Sequence, residues 1–339
     1  MRAAIFGAGS MGTILGAYIT RMGGQIDLIN HNKAHIEALK DDGARIVGTV
    51  DFTQPVTALL PEEMTGKYDI IILLTKQQNN HEVCTFLKDY LADDGVLVTL
   101  QNGLPEDGIA EVLGEDRVLG CIVAWGATML GPGLCELTSS PDSLTFSLGR
   151  VGTKPHKYMA DVKDLLEMMG PVTIKHNFIG MRWSKLLINS AFSGMSTVLG
   201  CTFGEAAKNR QSRSLVLGLI KECIDVCAAA NIKIEPVQGK DAVKYFNYKG
   251  PLKKAFALQI LPFAIRKHAL LKASMLQDIE NGKKTEVDSI NGAIANFGAK
   301  FGVPTPLNSK VTALIHEIED CKLKPSFDNL KLFSPTGSD

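Results

Sequence analysis

Residues 1–23 read MRAAIFGAGSMGTILGAYITRMG: an apolar tetrapeptide, a glycine turn and an amphipathic run in immediate succession. AAIF has the composition of a buried strand and TILGAYITRM has helical periodicity. Between them Gly7, Gly9 and Gly12 form GxGxxG. In that pattern the first glycine makes a tight turn, the second lets a pyrophosphate approach the backbone, and the third lets the helix pack on the strand. The hexapeptide alone is a weak signal. The strand before it, the helix after it and QIDLIN as a second strand turn it into a βαβ unit, whose phosphate-binding segment is Gly7, Gly9, Ser10, Met11 and Gly12. A glycine turn with no ligand is the competing interpretation.

Further strands follow at βα spacing: YDIIILLTK ending at Lys76, GVLVTLQNG ending at Gly103 and RVLGCIVAWGA ending at Ala127. They alternate with helical stretches such as HEVCTFLKDYLA, so the fold class expected is α/β, with an N-terminal Rossmann-type doubly wound parallel sheet. Polar residues at the carboxyl ends of such strands face the ligand crevice, which selects Thr75, Lys76, Gln101 and Asn102. Ordinary turn chemistry in QNG also accounts for Gln101. GPG at 131–133 and SLTFSLGR suggest a hairpin closing the sheet with antiparallel edge strands. GPVTIKHN is a composition break, which divides the chain into a dinucleotide domain, 1–175, and a helical domain, 176–339. After the second strand, where an acid would grip the 2′-hydroxyl of NAD, stand Asn30, His31, Asn32 and Lys33. No carboxylate repels a 2′-phosphate there, and Lys33 or His31 can pair with one, so NADP is favoured.

A chain of 339 residues suggests two domains, and 45% hydrophobic with 21% charged residues describes a globular protein. Lysine plus arginine equals aspartate plus glutamate, 36 each, so no net field gathers nucleic acid or an anionic membrane. The N-terminus enters a strand at once, without a signal-type apolar segment, and no apolar run has membrane-spanning length. Seven cysteines without a CxxC pair fit reduced thiols in a cytoplasm. Cys223 and Cys227 share a helix face and are expected in the core rather than on a metal; no metal site is expected.

In the second half, strand patterns give way to helical ones such as SLVLGLIKECIDVCAAA and SINGAIANFGAKFG. WSKLLINSAF, residues 183–192, holds Lys185 as the sole charge before Glu205. Lys185, Asn189 and Ser193 recur every four residues, which on an α-helix puts them on one stripe of an otherwise apolar cylinder. A lysine near a helix start, snorkelling to water, is the alternative. Pro236 to Leu271 is amphipathic with Lys and Arg clusters, expected as a solvated basic face rather than a membrane contact. ASMLQDIENGKKTEVDSINGA, residues 273–293, concentrates Ser274, Gln277, Asp278, Glu280, Glu286, Asp288 and Asn291, with a helix closed by Gly282 and another beginning after the Lys-Lys connection. Glu286 stands out because Val287 and Ile290 beside it should be packed.

Together these segments resemble the ketopantoate reductase (2-dehydropantoate 2-reductase) family: GAGSMG at 7–12, LTK ending at Lys76, QNG at 101–103, WSKLLIN at 183–189, SMLQDIENGKKTEVDSING at 274–292 and GVPTP at 302–306. The resemblance implies an NADPH-dependent reduction of a 2-keto acid to a 2-hydroxy acid, of which ketopantoate to pantoate in pantothenate biosynthesis is the family's example, and a homodimer through the second domain. It implies Lys185 as the catalytic lysine, Glu286 as the carboxylate on the substrate hydroxyl, and Asn102 and Lys76 near nicotinamide and substrate. Asn189, Ser193 and Ser274 fall at substrate-binding positions. Two substrate-gripping asparagines of the family pattern are replaced, by Ser193 and by Phe203, and the usual cofactor-phosphate arginine by His31. The reaction class therefore follows more firmly than the keto acid. A β-hydroxyacid or 6-phosphogluconate-type dehydrogenase also pairs GxGxxG with a helix bearing Lys and Asn four residues apart, but lacks TEVDSING. A non-catalytic NADP-binding redox sensor would not need Lys185 and Glu286 together.

Overall fold

The computed structural model describes residues 1–152, 156–236 and 239–333. The chain divides into two units, Met1–Phe178 and Ile179–Asp339.

In the first unit the strands are β1 (Ala3–Phe6), β2 (Asp27–Ile29), β3 (Ala44–Gly48), β4 (Phe52–Gln54), β5 (Thr57–Leu59), β6 (Tyr68–Leu73), β7 (Leu91–Thr99), β8 (Val118–Val123), β9 (Ala127–Gly131), β10 (Leu134–Leu137), β11 (Phe146–Gly149) and β12 (Val172–Ile174). The helices are α1 (Ser10–Arg21), α2 (Lys33–Asp41), α3 (Asn80–Lys88), α4 (Glu106–Leu113) and α5 (Met159–Glu167). Eight strands form one sheet in the order β12-β11-β8-β7-β6-β1-β2-β5. Neighbours run parallel except β11, which is antiparallel to β8. From β1 the chain lays β2 and β5 to one side and β6, β7 and β8 to the other, so the carboxyl end of β1 is a topological switch point. Both faces are covered, as the strand composition requires. Ile70 and Ile72 of β6 pack into a core shared with α1 and α5, whereas Ile71 and Leu73 pack into one shared with α3 and α4.

Three expectations are corrected here. The GPG turn does join an antiparallel hairpin, β9 to β10, but that hairpin lies in a separate four-stranded sheet of order β4-β3-β10-β9. It does not close the main sheet, and SLTFSLGR forms β11, an interior strand covered at its outer side by β12. The strand expected through Ala127 stops at Val123, and Ala127 begins β9. The helix expected over HEVCTFLKDYLA ends at Lys88, because Leu91 and Ala92 open β7.

The second unit is helical among its described residues: α6 (Phe178–Ile188), α7 (Gly194–Leu199), α8 (Phe203–Lys208), α9 (Arg210–Ala229), α10 (Ala242–Phe246), α11 (Pro251–Ala264), α12 (Ser274–Glu280), α13 (Ala293–Phe301) and α14 (Pro306–Glu319). Between α6 and α7 the backbone runs as a π-turn over Asn189–Ser193, and a second π-turn, Asp288–Gly292, leads into α13. The stripe of Lys185, Asn189 and Ser193 is therefore not one α-helical row: only Lys185 lies in the α-helix, and Asn189 to Ser193 are wound more widely. Lys185 is also in the last turn of α6, not near its start. The stretch 236–271 breaks into α10, α11 and a single 3₁₀ turn, Arg266–His268; Val237 and Gln238 within it lie outside the described residues. Cys223 and Cys227 are buried in α9. Among the described residues no helix is long and apolar enough to cross a membrane.

Candidate active site

At the carboxyl end of β1 the chain turns through Gly7, whose φ of 92° belongs to the left-handed region. A β-carbon on Gly7 would stand 2.6 Å from the Thr75 backbone nitrogen, and one on Gly12 3.0 Å from both the Gly7 oxygen and Ile5 Cγ2. Gly9 differs: a β-carbon there would meet only the Gly7 oxygen, at 3.9 Å. The middle of the turn is thus open, and no side chain caps α1 at Gly9. The first helical turn, with Ser10 and Met11 in it, therefore starts without a side-chain cap, the arrangement that helix starts use to accept an anion. That geometry fits the pyrophosphate of a dinucleotide.

Neighbouring strand ends are tied to this turn by amides. Gln101, just past β7, donates from Nε2 to the Thr75 carbonyl at 2.7 Å and to Asn80 Oδ1 at 2.7 Å. Its Oε1 accepts from Asn80 Nδ2 and from Thr99 Oγ1, each at 3.0 Å. Gln101 therefore ties the end of β7 to the end of β6 and the start of α3, a cross-strand role and not the local turn chemistry expected of QNG. Gln77 Nε2 donates to the carbonyl of Asn102. Thr75 and Lys76 follow β6 and Asn102 follows β7, so the three stand at adjacent strand ends beside the glycine turn. After β2, Asn30 accepts from the Asn32 amide at 2.9 Å, and Asn32 caps α2 by accepting from the His35 amide at 3.2 Å. His31 and Lys33 are exposed, with Lys33 Nζ 4.0 Å from Glu37.

In the second unit, three segments converge on the π-turn Asn189–Ser193. Lys185, half-buried, precedes it in α6 between the buried Ser184 and Leu186. Asn291, buried in the other π-turn, donates from Nδ2 to the Ser190 carbonyl at 3.0 Å and to Asn308 Oδ1 at 3.0 Å. Asn308 in turn donates to Glu222 Oε2 at 2.7 Å, and burial raises the Glu222 carboxyl although the Leu307 and Asn308 amides and the Asn308 side chain oppose it. The third segment is α12, which packs on the same π-turn and opens with the exposed Ser274. Glu286 lies half-buried just before the second π-turn, with Val287 and Ile290 buried as expected. Its neighbours are held firmly: the Thr285 amide donates to Glu319 Oε1 at 2.7 Å, and Asp288 Oδ1 is 2.9 Å from His316 Nε2.

The two family asparagines are replaced by residues absorbed into the interior. Ser193 is buried, and its carbonyl accepts from Thr197 Oγ1 at 2.8 Å. The Phe203 ring packs on Phe192 with centroids 5.6 Å apart. Sequence reasoning assigned no role to Asn291 or to His35. For His35 a signal existed: with Ile36 and Leu39 it lies on the buried face of α2, where a polar group needs partners. Asn291 stood out only as one of the polar residues of 273–293, because its partners, the Ser190 carbonyl and Asn308, are remote in sequence.

Residues 3–150 match the family described as Ketopantoate reductase PanE/ApbA, and residues 177–319 its C-terminal counterpart, Ketopantoate reductase PanE/ApbA C terminal. A 2-dehydropantoate 2-reductase of Streptococcus pyogenes serotype M3 is 27% identical over 317 residues, covering 93% of this chain and 97% of that one. One from Pyrococcus horikoshii is 28% identical over 319 residues, covering 93% and 96%. Among solved structures, a D-mandelate dehydrogenase in ternary complex with NADH and anilino(oxo)acetate is 26% identical with a TM-score of 0.80, covering 95% of this chain and 99% of that one. A PanE/ApbA family protein from Ralstonia eutropha JMP134, 24% identical with a TM-score of 0.79 and the same coverage, shares the fold.

Proposed function

The chain belongs to the ketopantoate reductase family, and we propose that it reduces the ketone of a 2-keto acid with NADPH, using Lys185 as the proton donor. When bound, the reduced nicotinamide supplies the hydride. Hydride arriving at C2 leaves negative charge on the former carbonyl oxygen. An ammonium within hydrogen-bond reach stabilises that charge and delivers the proton, and the neutral amine left behind recovers a proton from water. In this assignment residues 1–175 hold the cofactor through Gly7, Gly9, Ser10, Met11, Gly12 and Thr75, with His31 and Lys33 toward the 2′-phosphate. Residues 176–339 hold the substrate. Glu286 accepts from the substrate hydroxyl where the keto acid carries one, as ketopantoate does, Asn189 and Ser274 bind the substrate, and Lys76 and Asn102 of the first domain act beside the nicotinamide.

The observation that carries this assignment is the convergence on one π-turn of the lysine helix, the segment of Glu286 and the helix of Ser274, fastened by the Asn291 bond to Ser190. π-turns inside helices frequently mark functional sites. NADPH is preferred over NADH because no carboxylate ends β2; the exposed Lys33–Glu37 contact is too weak to withhold Lys33 from a phosphate.

Ketopantoate itself is expected to be a weak substrate. Phe203 is committed to Phe192 and Ser193 is buried, so each family amide lost there removes a hydrogen bond worth ~0.5–1.5 kcal/mol. An apolar or aryl 2-keto acid does not need those bonds, and the similarity to a D-mandelate dehydrogenase supports that class.

The test is single-turnover kinetics of Lys185→Ala. The variant should bind NADPH nearly as the parent does and transfer hydride about 10²–10⁴ times more slowly, the usual worth of a positioned proton donor. A folded, NADPH-binding Lys185→Ala protein with parental turnover removes Lys185 from the mechanism.

A further inference from the structure

The imidazole of His35 is fully buried and joins three segments of the first unit. Its Nε2 lies 3.0 Å from the Ala8 carbonyl oxygen and 3.0 Å from Thr13 Oγ1, and its Nδ1 accepts from the Gly133 amide at 3.0 Å. Because Nδ1 is an acceptor, the single proton of the neutral ring sits on Nε2 and is donated to Ala8. Thr13 Oγ1 donates to the same carbonyl at 3.1 Å. Burial keeps the ring neutral by pushing its pKa below the usual histidine value, against the opposing pull of the Ala8 carbonyl.

These partners have a pattern. Ala8 is the residue between Gly7 and Gly9, at the centre of the turn that faces the pyrophosphate. His35 itself stands in the first turn of α2, directly after Asn30 to Lys33, the segment that faces the adenosine ribose. Gly133 is the turn of the β9–β10 hairpin. One rigid ring therefore fixes the spacing between both ends of a dinucleotide site and braces it against the small sheet. We propose that His35 is a positioning residue for the cofactor: it governs NADPH affinity through the Ala8 carbonyl and the start of α2, without touching the cofactor. This rests on the dinucleotide reading of the glycine turn.

The experiment compares His35→Leu, His35→Gln and Thr13→Val by fluorescence titration with NADPH and by turnover at saturating cofactor, each protein checked for folding by circular dichroism. Leucine strands the Gly133 amide and removes one of two donors to Ala8, so affinity should fall about tenfold or more with turnover at saturation little changed. Glutamine keeps a donor and an acceptor and should restore most of the affinity. Thr13→Val, which removes only the second donor, should weaken binding in the same direction by less. His35→Leu binding NADPH as the parent does, or losing turnover instead of affinity, overturns the proposal. If His35→Leu does not fold, unchanged NADPH affinity in a folded Thr13→Val overturns it equally, because the Ala8 carbonyl then loses a donor with no effect on the cofactor. A parent protein that binds neither NADPH nor NADH sinks the dinucleotide reading first, which separates the two failures.

Discussion

Lys185 is set between Ser184 and Leu186, both buried, in a helix whose Arg182 and Trp183 are buried as well. Lys185 itself is half-buried among them, a setting that partly shields its aliphatic chain and is consistent with the proton-donor role proposed for it. Glu286 has a parallel setting, one residue from Val287 and between two clamped neighbours. With ketopantoate, which carries a hydroxyl, replacing Glu286 with Gln should raise KM more than it lowers kcat, because a carboxylate receiving that hydroxyl acts in the ground state as well as in the transition state. Steady-state kinetics decide it; a pure fall in kcat would assign Glu286 to the chemical step instead. At the cofactor end, Lys33→Ala should weaken NADPH and leave NADH unchanged, as read by parallel fluorescence titrations, and an equal loss for both would show that Lys33 does not meet the 2′-phosphate. Lys185 stands out in the sequence as a charge amid apolar residues and Glu286 as a carboxylate beside Val287 and Ile290, while the roles proposed for them rest on the family resemblance. The roles of His35 and Asn291 were not legible there, since their importance lies in main-chain partners that only the folded chain supplies.

Two π-turns facing each other form the element on which the second unit is built. They escape sequence reading because winding by five residues instead of four changes no residue, only which carbonyl each amide meets. Asn291 joins them, and Asn291→Leu would leave both the Ser190 carbonyl and Asn308 Oδ1 without that donor in the interior. Each orphaned group costs ~1–3 kcal/mol. Urea unfolding should show a lower midpoint with an unchanged slope; a midpoint equal to the parent's would mean that the link carries no stability. The second π-turn is also tied to α14 by a histidine. His316 Nδ1 is 3.1 Å from Glu319 Oε2 and Nε2 is 2.9 Å from Asp288 Oδ1, and both contacts are hydrogen bonds only in the imidazolium. Burial lowers the pKa of His316, but the two carboxylates outweigh it and hold the value above the ordinary 6.5. A raised folded-state value means that this stabilisation is complete below pH 6.5 and is lost as pH rises through the folded-state pKa. His35 has the opposite sign: its lowered value makes its contribution complete above pH 6.5 and lost on acidification. Thermal unfolding of His316→Ala should therefore lose less stability than the parent on the alkaline side of pH 6.5, and an identical alkaline decline in both would refute the coupling.

For the chain as a whole, the doubly wound sheet was legible because each of its central strands is a short apolar run bounded by turn residues, and burial on both faces demands that composition. The four-stranded sheet was not, because β3, β4, β9 and β10 are three to five residues long and carry no pattern that distinguishes a second sheet from an edge of the first. The first unit carries an open, uncapped helix start at its glycine turn, and the second a half-buried lysine and a half-buried carboxylate. The central claim is that these serve one reaction, the reduction of a 2-keto acid by a nicotinamide cofactor. It is tested most directly by incubating the purified protein with NADPH and a panel of 2-keto acids, ketopantoate and aryl-substituted members included, and measuring cofactor consumed against 2-hydroxy acid formed. One-to-one conversion of at least one member, with aryl or apolar acids ahead of ketopantoate, is the predicted result, and a protein that binds NADPH yet reduces none of them contradicts the account.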